Sequence, residues 1–257
     1  MTHYIKTCLL AAAVVAGGIC SANAADLAAR TYTKAPPAYQ SVYDWSGFYI
    51  GADAGYGWGR DRHTDLIPGG GFWTDGSNGG TQSIKPSGAV YGGQVGYNWQ
   101  VSNWVLGLEA QFNGASLKRT DASIFFPATD SLRSKVDFYT TVTGRIGYAV
   151  NNWLPYVKGG YAGAQLKTAN FDTLGNSLTH SDWQSGFVVG AGLEYAFAGN
   201  WVVGVEYNYM DFGKQTFTAN DVPAALATTE SFKDHLTIST VTGRLSYKFG
   251  GPVVARY

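Results

Sequence analysis

From Phe48 onward, apolar residues alternate with small or polar ones at a period of two, the spacing that sends successive side chains of a strand to opposite faces. In the first such segment Phe48, Ile50, Ala52, Ala54, Tyr56 and Trp58 share one face, and Tyr49, Gly51, Asp53, Gly55 and Gly57 the other. The second sets Ala89, Tyr91, Val95, Tyr97 and Trp99 against Val90, Gly92, Gln94, Gly96 and Asn98, and the third sets Trp104, Leu106, Leu108 and Phe112 against Val105, Gly107, Glu109 and Gln111. In the fourth, Val136, Phe138, Val142, Ile146 and Tyr148 oppose Lys135, Asp137, Thr141, Thr143 and Arg145. The fifth, Leu154 to Leu166, has the faintest alternation; placing Val157 and Tyr161 outward turns Lys158 inward. The last three put Phe187, Val189, Leu193 and Tyr195, then Trp201, Val203, Val205 and Tyr207, then Val241, Leu245, Tyr247 and Phe249 on the apolar face. Opposite them stand Glu194, Glu206 and Asn208, and Thr240, Thr242, Arg244, Ser246 and Lys248.

Eight such segments predict an all-β fold, and the connections between them predict its setting. Strands two and three, four and five, and six and seven meet at Ser102-Asn103, Asn151-Asn152 and Gly199-Asn200, whereas the other connections span 59–86, 113–131, 167–182 and 213–234. Short turns on one side and long loops on the other are the layout of an outer-membrane barrel, with the short turns in the periplasm. A soluble barrel would hide its apolar face and expose the polar one. Here the polar face is crowded with glycine, too small to coat a wetted exterior. The expectation is an eight-stranded antiparallel up-and-down transmembrane β-barrel whose apolar face meets lipid.

The chain start agrees with export. Lys6, an apolar run from Cys8 to Ile19, and Ala22-Asn23-Ala24 form the three parts of a secretory signal peptide. The run is too short for a membrane helix, which needs roughly 20 apolar residues. Residues 1–24 are expected to be removed, and Ile19 before Cys20 argues against lipidation. Both cysteines leave with the leader. Residues 25–44, with Pro36-Pro37, read as a periplasmic extension, and 45–257 as the barrel. The chain carries 18 basic and 18 acidic residues, so nothing in its balance attracts nucleic acid. Its 34 glycines, 17 tyrosines and 8 tryptophans suit a tight interior and aromatic girdles.

Two stretches nearly repeat. Trp104-Val105-Leu106-Gly107-Leu108-Glu109 resembles Trp201-Val202-Val203-Gly204-Val205-Glu206, and Thr141-Val142-Thr143-Gly144-Arg145 resembles Thr240-Val241-Thr242-Gly243-Arg244. The offsets are 97 residues (Glu109 to Glu206) and 99 (Arg145 to Arg244). Duplication and convergence of similar hairpins both account for them. The register aims Glu109, Arg145, Lys158, Glu194, Glu206 and Arg244 inward at similar depth, with opposite charges on neighbouring strands. An unpaired charge there would cost several kcal/mol. In a lumen that side chains just fill, such a cluster reads as a structural plug rather than a conduit.

Tyr43-Asp44-Trp45-Ser46-Gly47-Phe48-Tyr49-Ile50-Gly51, with Ala25-Asp26-Leu27 and Lys34-Ala35-Pro36-Pro37 before it, resembles the mature start of the small alphaproteobacterial outer-membrane proteins. These are the surface-antigen and RopB-like group, akin to the OmpA transmembrane domain. The ending Thr242-Gly243-Arg244-Leu245-Ser246-Tyr247-Lys248-Phe249 resembles that group's last strand, which the barrel-assembly machinery reads. Here the chain continues to Tyr257, and no peptidoglycan-binding domain follows. The resemblance implies an envelope-integrity protein and surface antigen with no enzymatic activity. Expected partners are outer-membrane lipid, lipopolysaccharide and the assembly machinery, with a monomer favoured; a diffusion porin is the alternative.

Candidate chemistry is sparse. His63, His180 and His235 fall in the segments read as loops, where scattered histidines are more often solvated than catalytic. Gly69-Gly70-Gly71 and the stretch from Gly76 to Gly80 lack a strand-to-helix phosphate-binding context and read as loop. Metal-ligand spacing is absent, and no cofactor is implied.

Overall fold

The computed structural model describes residues 43–66, 81–123, 128–129, 131–171, 177–220 and 229–250. The leader, most of the extension, the Gly69 to Gly80 stretch and the chain end after Gly250 lie outside the described residues. Eight antiparallel passes form the wall: β1 (Gly47–Asp65), β3 (Ser87–Val101), β4 (Trp104–Ala122), β5 (Ser131–Tyr148), β6 (Trp153–Phe171), β7 (Ser177–Ala198), β8 (Trp201–Asn220) and β9 (Thr229–Lys248). The four-residue β2 (Thr81–Ile84) pairs with the outer end of β1 and is the top of the second pass. Pro86 interrupts that pass, since it has no N–H for the ladder. Each pass pairs with the next, and β1 pairs with β9, so the sheet closes. Closure leaves no strand edge facing lipid, where unpaired backbone groups would cost several kcal/mol each.

The three short turns are built alike. Each has a first residue at positive φ (Ser102 57°, Asn151 53°, Gly199 59°), then an asparagine, then a tryptophan. Backbone N–H groups of Ala149, Ala196 and Lys248 donate to the carbonyls of Asn103, Asn152 and Asn200 at 2.7, 2.9 and 2.8 Å. The asparagine amides reach the next hairpin, to Ala149 O, Ala196 O and the Tyr247 hydroxyl. Each following tryptophan packs across the ladder against a tyrosine: Trp104 and Trp201 edge-to-face with Tyr148 and Tyr247, and Trp153 tilted against Tyr195, with centroids 5.2, 5.2 and 4.6 Å apart. These pairs form an aromatic girdle at the short-turn end, the end expected in the periplasm. Phe112, Phe138 and Trp183 belong to the outer one, at centroid spacings of 5.6 and 5.8 Å.

The strands run further outward than the alternation predicts, so the connections are shorter than the four segments read as loops. β4 continues to Ala122, β6 to Phe171 and β8 to Asn220. His63, His235 and the backbone of His180 therefore lie on strands, not in loops. The physical reason is an inversion. Above the outer girdle the wall leaves lipid, so Lys118, Arg133 and Lys167 face out, while Leu117, Leu132 and Leu166 face in. Val136, expected on the lipid face, is fully buried inside, and Lys135 and Asp137, expected inside, meet on the exterior at 2.5 Å. A β-bulge between Val136 and Tyr139 swaps the faces there.

Two seams open at this outer end. The β3–β4 ladder ends at Ser87↔Lys118 and the β7–β8 ladder at Phe187↔Asp211, whereas β4–β5, β5–β6, β6–β7 and β8–β9 stay paired to their tips. The barrel thus parts into two facing sheets, β8-β9-β1-β2 and β4-β5-β6-β7, around an apolar filling.

Residues 25–257 contain no cysteine, so single cysteines placed there test the extended strands. In intact cells a membrane-impermeant maleimide should label Lys167→Cys quickly and leave Leu166→Cys unlabelled until the protein is heated in SDS. Equal labelling at the two neighbours would return this segment to the loop reading.

Candidate functional site: the filled lumen

The interior is stratified, and the alternation of each strand sets the strata. At the short-turn end Trp45, Val105, Ala149, Leu154, Ala196 and Val202 form an apolar floor. The segment before β1 enters it. Trp45 is buried, its backbone N–H held by Gln100 Oε1 at 2.7 Å, and Tyr43 packs edge-on at 4.9 Å with Lys248 over its ring. Burial, with the Asp44 carboxylate adding, pushes the Tyr43 hydroxyl up to about 12. A cavity of about 10 Å³, room for one water, lies between this floor and Tyr49.

Above it sit the six charged residues named from the register: Glu109, Arg145, Lys158, Glu194, Glu206 and Arg244, none more than 5% exposed. The structure brings all six into one contact network, but with partners the register alone does not choose. Arg145 grips Glu194 with both nitrogens, Nη1 to Oε1 at 3.1 Å and Nη2 to Oε2 at 2.6 Å, and reaches Glu109 at 3.3 Å. Lys158 passes over its neighbour Glu194 and donates to Glu109 at 3.1 Å and Glu206 at 2.8 Å. Arg244 spans Glu206 through Nη1 and Glu109 through Nη2. Three carboxylates thus face three bases, and the cluster is neutral.

The neutral members were not legible as partners. Tyr49 and Tyr156 donate to Glu109 and Glu206 at 2.7 and 2.6 Å, and the Arg145 guanidinium lies 4.1 Å over the Tyr156 ring. Gln111 donates to Glu109 and Glu206 at 3.1 and 2.9 Å, and Asn208 to Glu206 at 2.8 Å. Gly96 and Gly192 make room for the two rings: a Cβ on either would stand 2.4 Å from the Tyr49 hydroxyl or 2.5 Å from Tyr156 Cζ. Two tyrosines interrupting a face otherwise small or polar were the available signal. Asp53, a further buried acid beside these three, accepts from Asn113 instead of a base.

The next stratum was missed altogether. Val90, Leu117, Val136, Tyr139, Leu166, Val188, Met210, Phe212, Leu236 and Ile238 converge from both facing sheets into a buried apolar layer. Over it, at the outer mouth, His63 contacts Asp234, and Ser134 donates to Asp61 at 2.8 Å, tying β5 to β1 across the opening.

Residues 11–249 match the family model for the outer membrane protein beta-barrel domain. The chain belongs to this family. It is similar to the 31 kDa outer-membrane immunogenic protein of Brucella melitensis, 32% identical over 94% of this chain and 99% of that protein. It is also similar to a 22 kDa outer membrane protein of Rhizobium leguminosarum bv. viciae, 29% identical over 67% of each chain. Among solved structures, the outer membrane protein OprG from Pseudomonas aeruginosa is similar at 13% identity and a TM-score of 0.49, covering 81% of this chain and 99% of that one. Family and relatives place this β-barrel in the outer membrane, the fold and location that the alternation and the chain start lead one to expect.

The fit of the tyrosines under their glycines predicts a graded response. Gly192→Val should cost about 1–3 kcal/mol by overpacking against the Tyr156 ring. Gly144→Ala, on the lipid face with nothing within 4 Å of a built Cβ, should stay within about 0.5 kcal/mol of the parent. Urea unfolding of the refolded barrel in detergent measures both, and equal losses would contradict the packing.

Proposed function

We infer that this outer-membrane protein is a sealed structural element of the envelope that presents its outer end at the cell surface and performs no catalysis. The observation that carries the reading is the succession of three closures along one lumen: the apolar floor at Trp45, the neutral charge network, and the apolar layer from Val90 to Ile238. A hydrated path would have to cross all three. An ion entering the apolar layer would shed its water with no polar group to replace it, a cost of several kcal/mol or more. The name of the Brucella melitensis relative, an immunogenic protein, supports surface display here. The paired His63 and Asp234 serve closure of the mouth in this reading.

The reading requires the charges to hold the wall rather than to gate it. Arg145→Ala or Arg244→Ala should destabilise the barrel by about 3–5 kcal/mol, because each strands buried carboxylates. Removing a partner acid as well, as in Arg244→Ala with Glu206→Gln, should restore part of the loss. Neither single variant should conduct, since both apolar layers remain. Planar-bilayer recording decides: steady single-channel currents from the parent protein would establish the porin reading, and an unchanged unfolding midpoint in both variants would remove the network's structural role.

A further inference from the structure

The outer wall carries two rows of bases that the sealed lumen does not explain. On one side Lys118, Lys135 and Lys167 are direct ladder partners on β4, β5 and β6, facing out. On the other, Lys214, His235 and Arg62 are direct partners on β8, β9 and β1. Neighbouring strands lie about 4.8 Å apart, and like charges directly opposite one another destabilise a sheet. Each row holds one carboxylate against that repulsion: Asp137 bridges Lys135 and Lys167 at 2.5 and 2.8 Å, and Asp211 meets His235 at 3.0 Å. Positive charge remains in excess on both sides.

Their depth says what neutralises them. Trp183, in the outer girdle, pairs with Gln165, and Lys167 stands two residues further out on the same face of β6. On the opposite wall Arg62 follows Trp58, whose ring packs near Tyr207 at 6.4 Å. Both rows therefore sit just beyond the girdle of an outer-membrane barrel, where the outward face meets lipid headgroups rather than hydrocarbon or bulk water. The rows occupy corresponding passes, the third to fifth and the seventh, eighth and first, so each spans one junction between the two repeated halves.

We propose that these two rows bind the phosphate groups of phosphorylated lipid headgroups in the outer leaflet, one lipid site on each side of the barrel. Ammonium and guanidinium groups held in a line by the ladder match a multiply charged phosphoryl headgroup, with charge-assisted hydrogen bonds to its oxygens. The proposal rests on the outer-membrane location and not on whether the lumen conducts, so bilayer recordings leave it untouched.

The test titrates refolded full-length mature protein, in uncharged detergent, with bisphosphorylated lipid A, with the same lipid dephosphorylated, and with inorganic phosphate. The readout is the temperature at which the folded gel band is lost in SDS. Bisphosphorylated lipid should raise that temperature, an effect that 0.5 M salt weakens, while dephosphorylated lipid and inorganic phosphate at equal concentration should not. The variant K118Q/K135Q/K167Q with R62Q/K214Q should bind the bisphosphorylated lipid at least tenfold more weakly. Without lipid it should melt close to the parent, because it relieves the repulsion among the bases while losing two exposed contacts to Asp137 that are each worth little. The all-arginine replacement of the three lysines should retain binding, and serves if the glutamine variant does not fold. Equal shifts with the dephosphorylated lipid, equal shifts with inorganic phosphate, or parental affinity in the glutamine variant would each overturn the assignment.

Discussion

Glu109 is the residue on which the interior closes. Its two carboxylate oxygens accept from Tyr49 on β1, Gln111 on its own strand, Arg145 on β5, Lys158 on β6 and Arg244 on β9. In a lumen this narrow a lone carboxylate would be poorly hydrated, and replacing its hydration takes several donors at once. No neighbouring pair of strands supplies them. The donors come from across the barrel, so the same bonds that satisfy the charge also fix the distance between opposite walls. A buried salt bridge often adds little net stability over an apolar filling. What this one adds is a single register: a slip of one residue would turn Glu109 to the lipid.

The network is twofold in plan and broken in two places. Tyr49, Gly96, Glu109 and Arg145 on the first four passes correspond to Tyr156, Gly192, Glu206 and Arg244 on the last four. Each tyrosine lies under its glycine and donates to its glutamate. The exceptions are Lys158, where the first half has Gly51, and Glu194, where it has Asn98. These two carry the asymmetry. Lys158 bonds both hub glutamates, and Glu194 takes Arg145 in a two-point grip. One added base and one added acid keep the cluster neutral while linking its halves.

Along each wall the environment changes and the alternation changes sense with it. Within the lipid band aromatic and aliphatic side chains face out, over glycine, polar and charged residues within. Beyond the outer girdle lysine and arginine face out, over leucine, valine and isoleucine within. Backbone pairing is complete where lipid surrounds the wall, and the two seams open only beyond it, where water can satisfy the freed groups. The molecule is thus a membrane barrel below and two packed sheets above, continuous in the same strands.

The eight passes, their lipid-facing residues, the short turns and the inward aim of the six charges were all legible in the sequence, because each depends on a local rule: period two, a turn residue, a girdle aromatic beside it. The strand tips were not, since an alternation whose apolar face turns inward, with charges between, looks like polar loop until the opposite wall is in place. Val136 and Lys135 were read onto the wrong faces because one bulge shifts the count, and a bulge leaves no local mark in Val136-Asp137-Phe138. Nor could the sequence choose partners within the network, or assemble the apolar layer from residues scattered between Val90 and Ile238. Periodicity fixes which way a side chain points. Which groups meet across a lumen depends on strand stagger and closure, and these exist only once β9 has paired with β1.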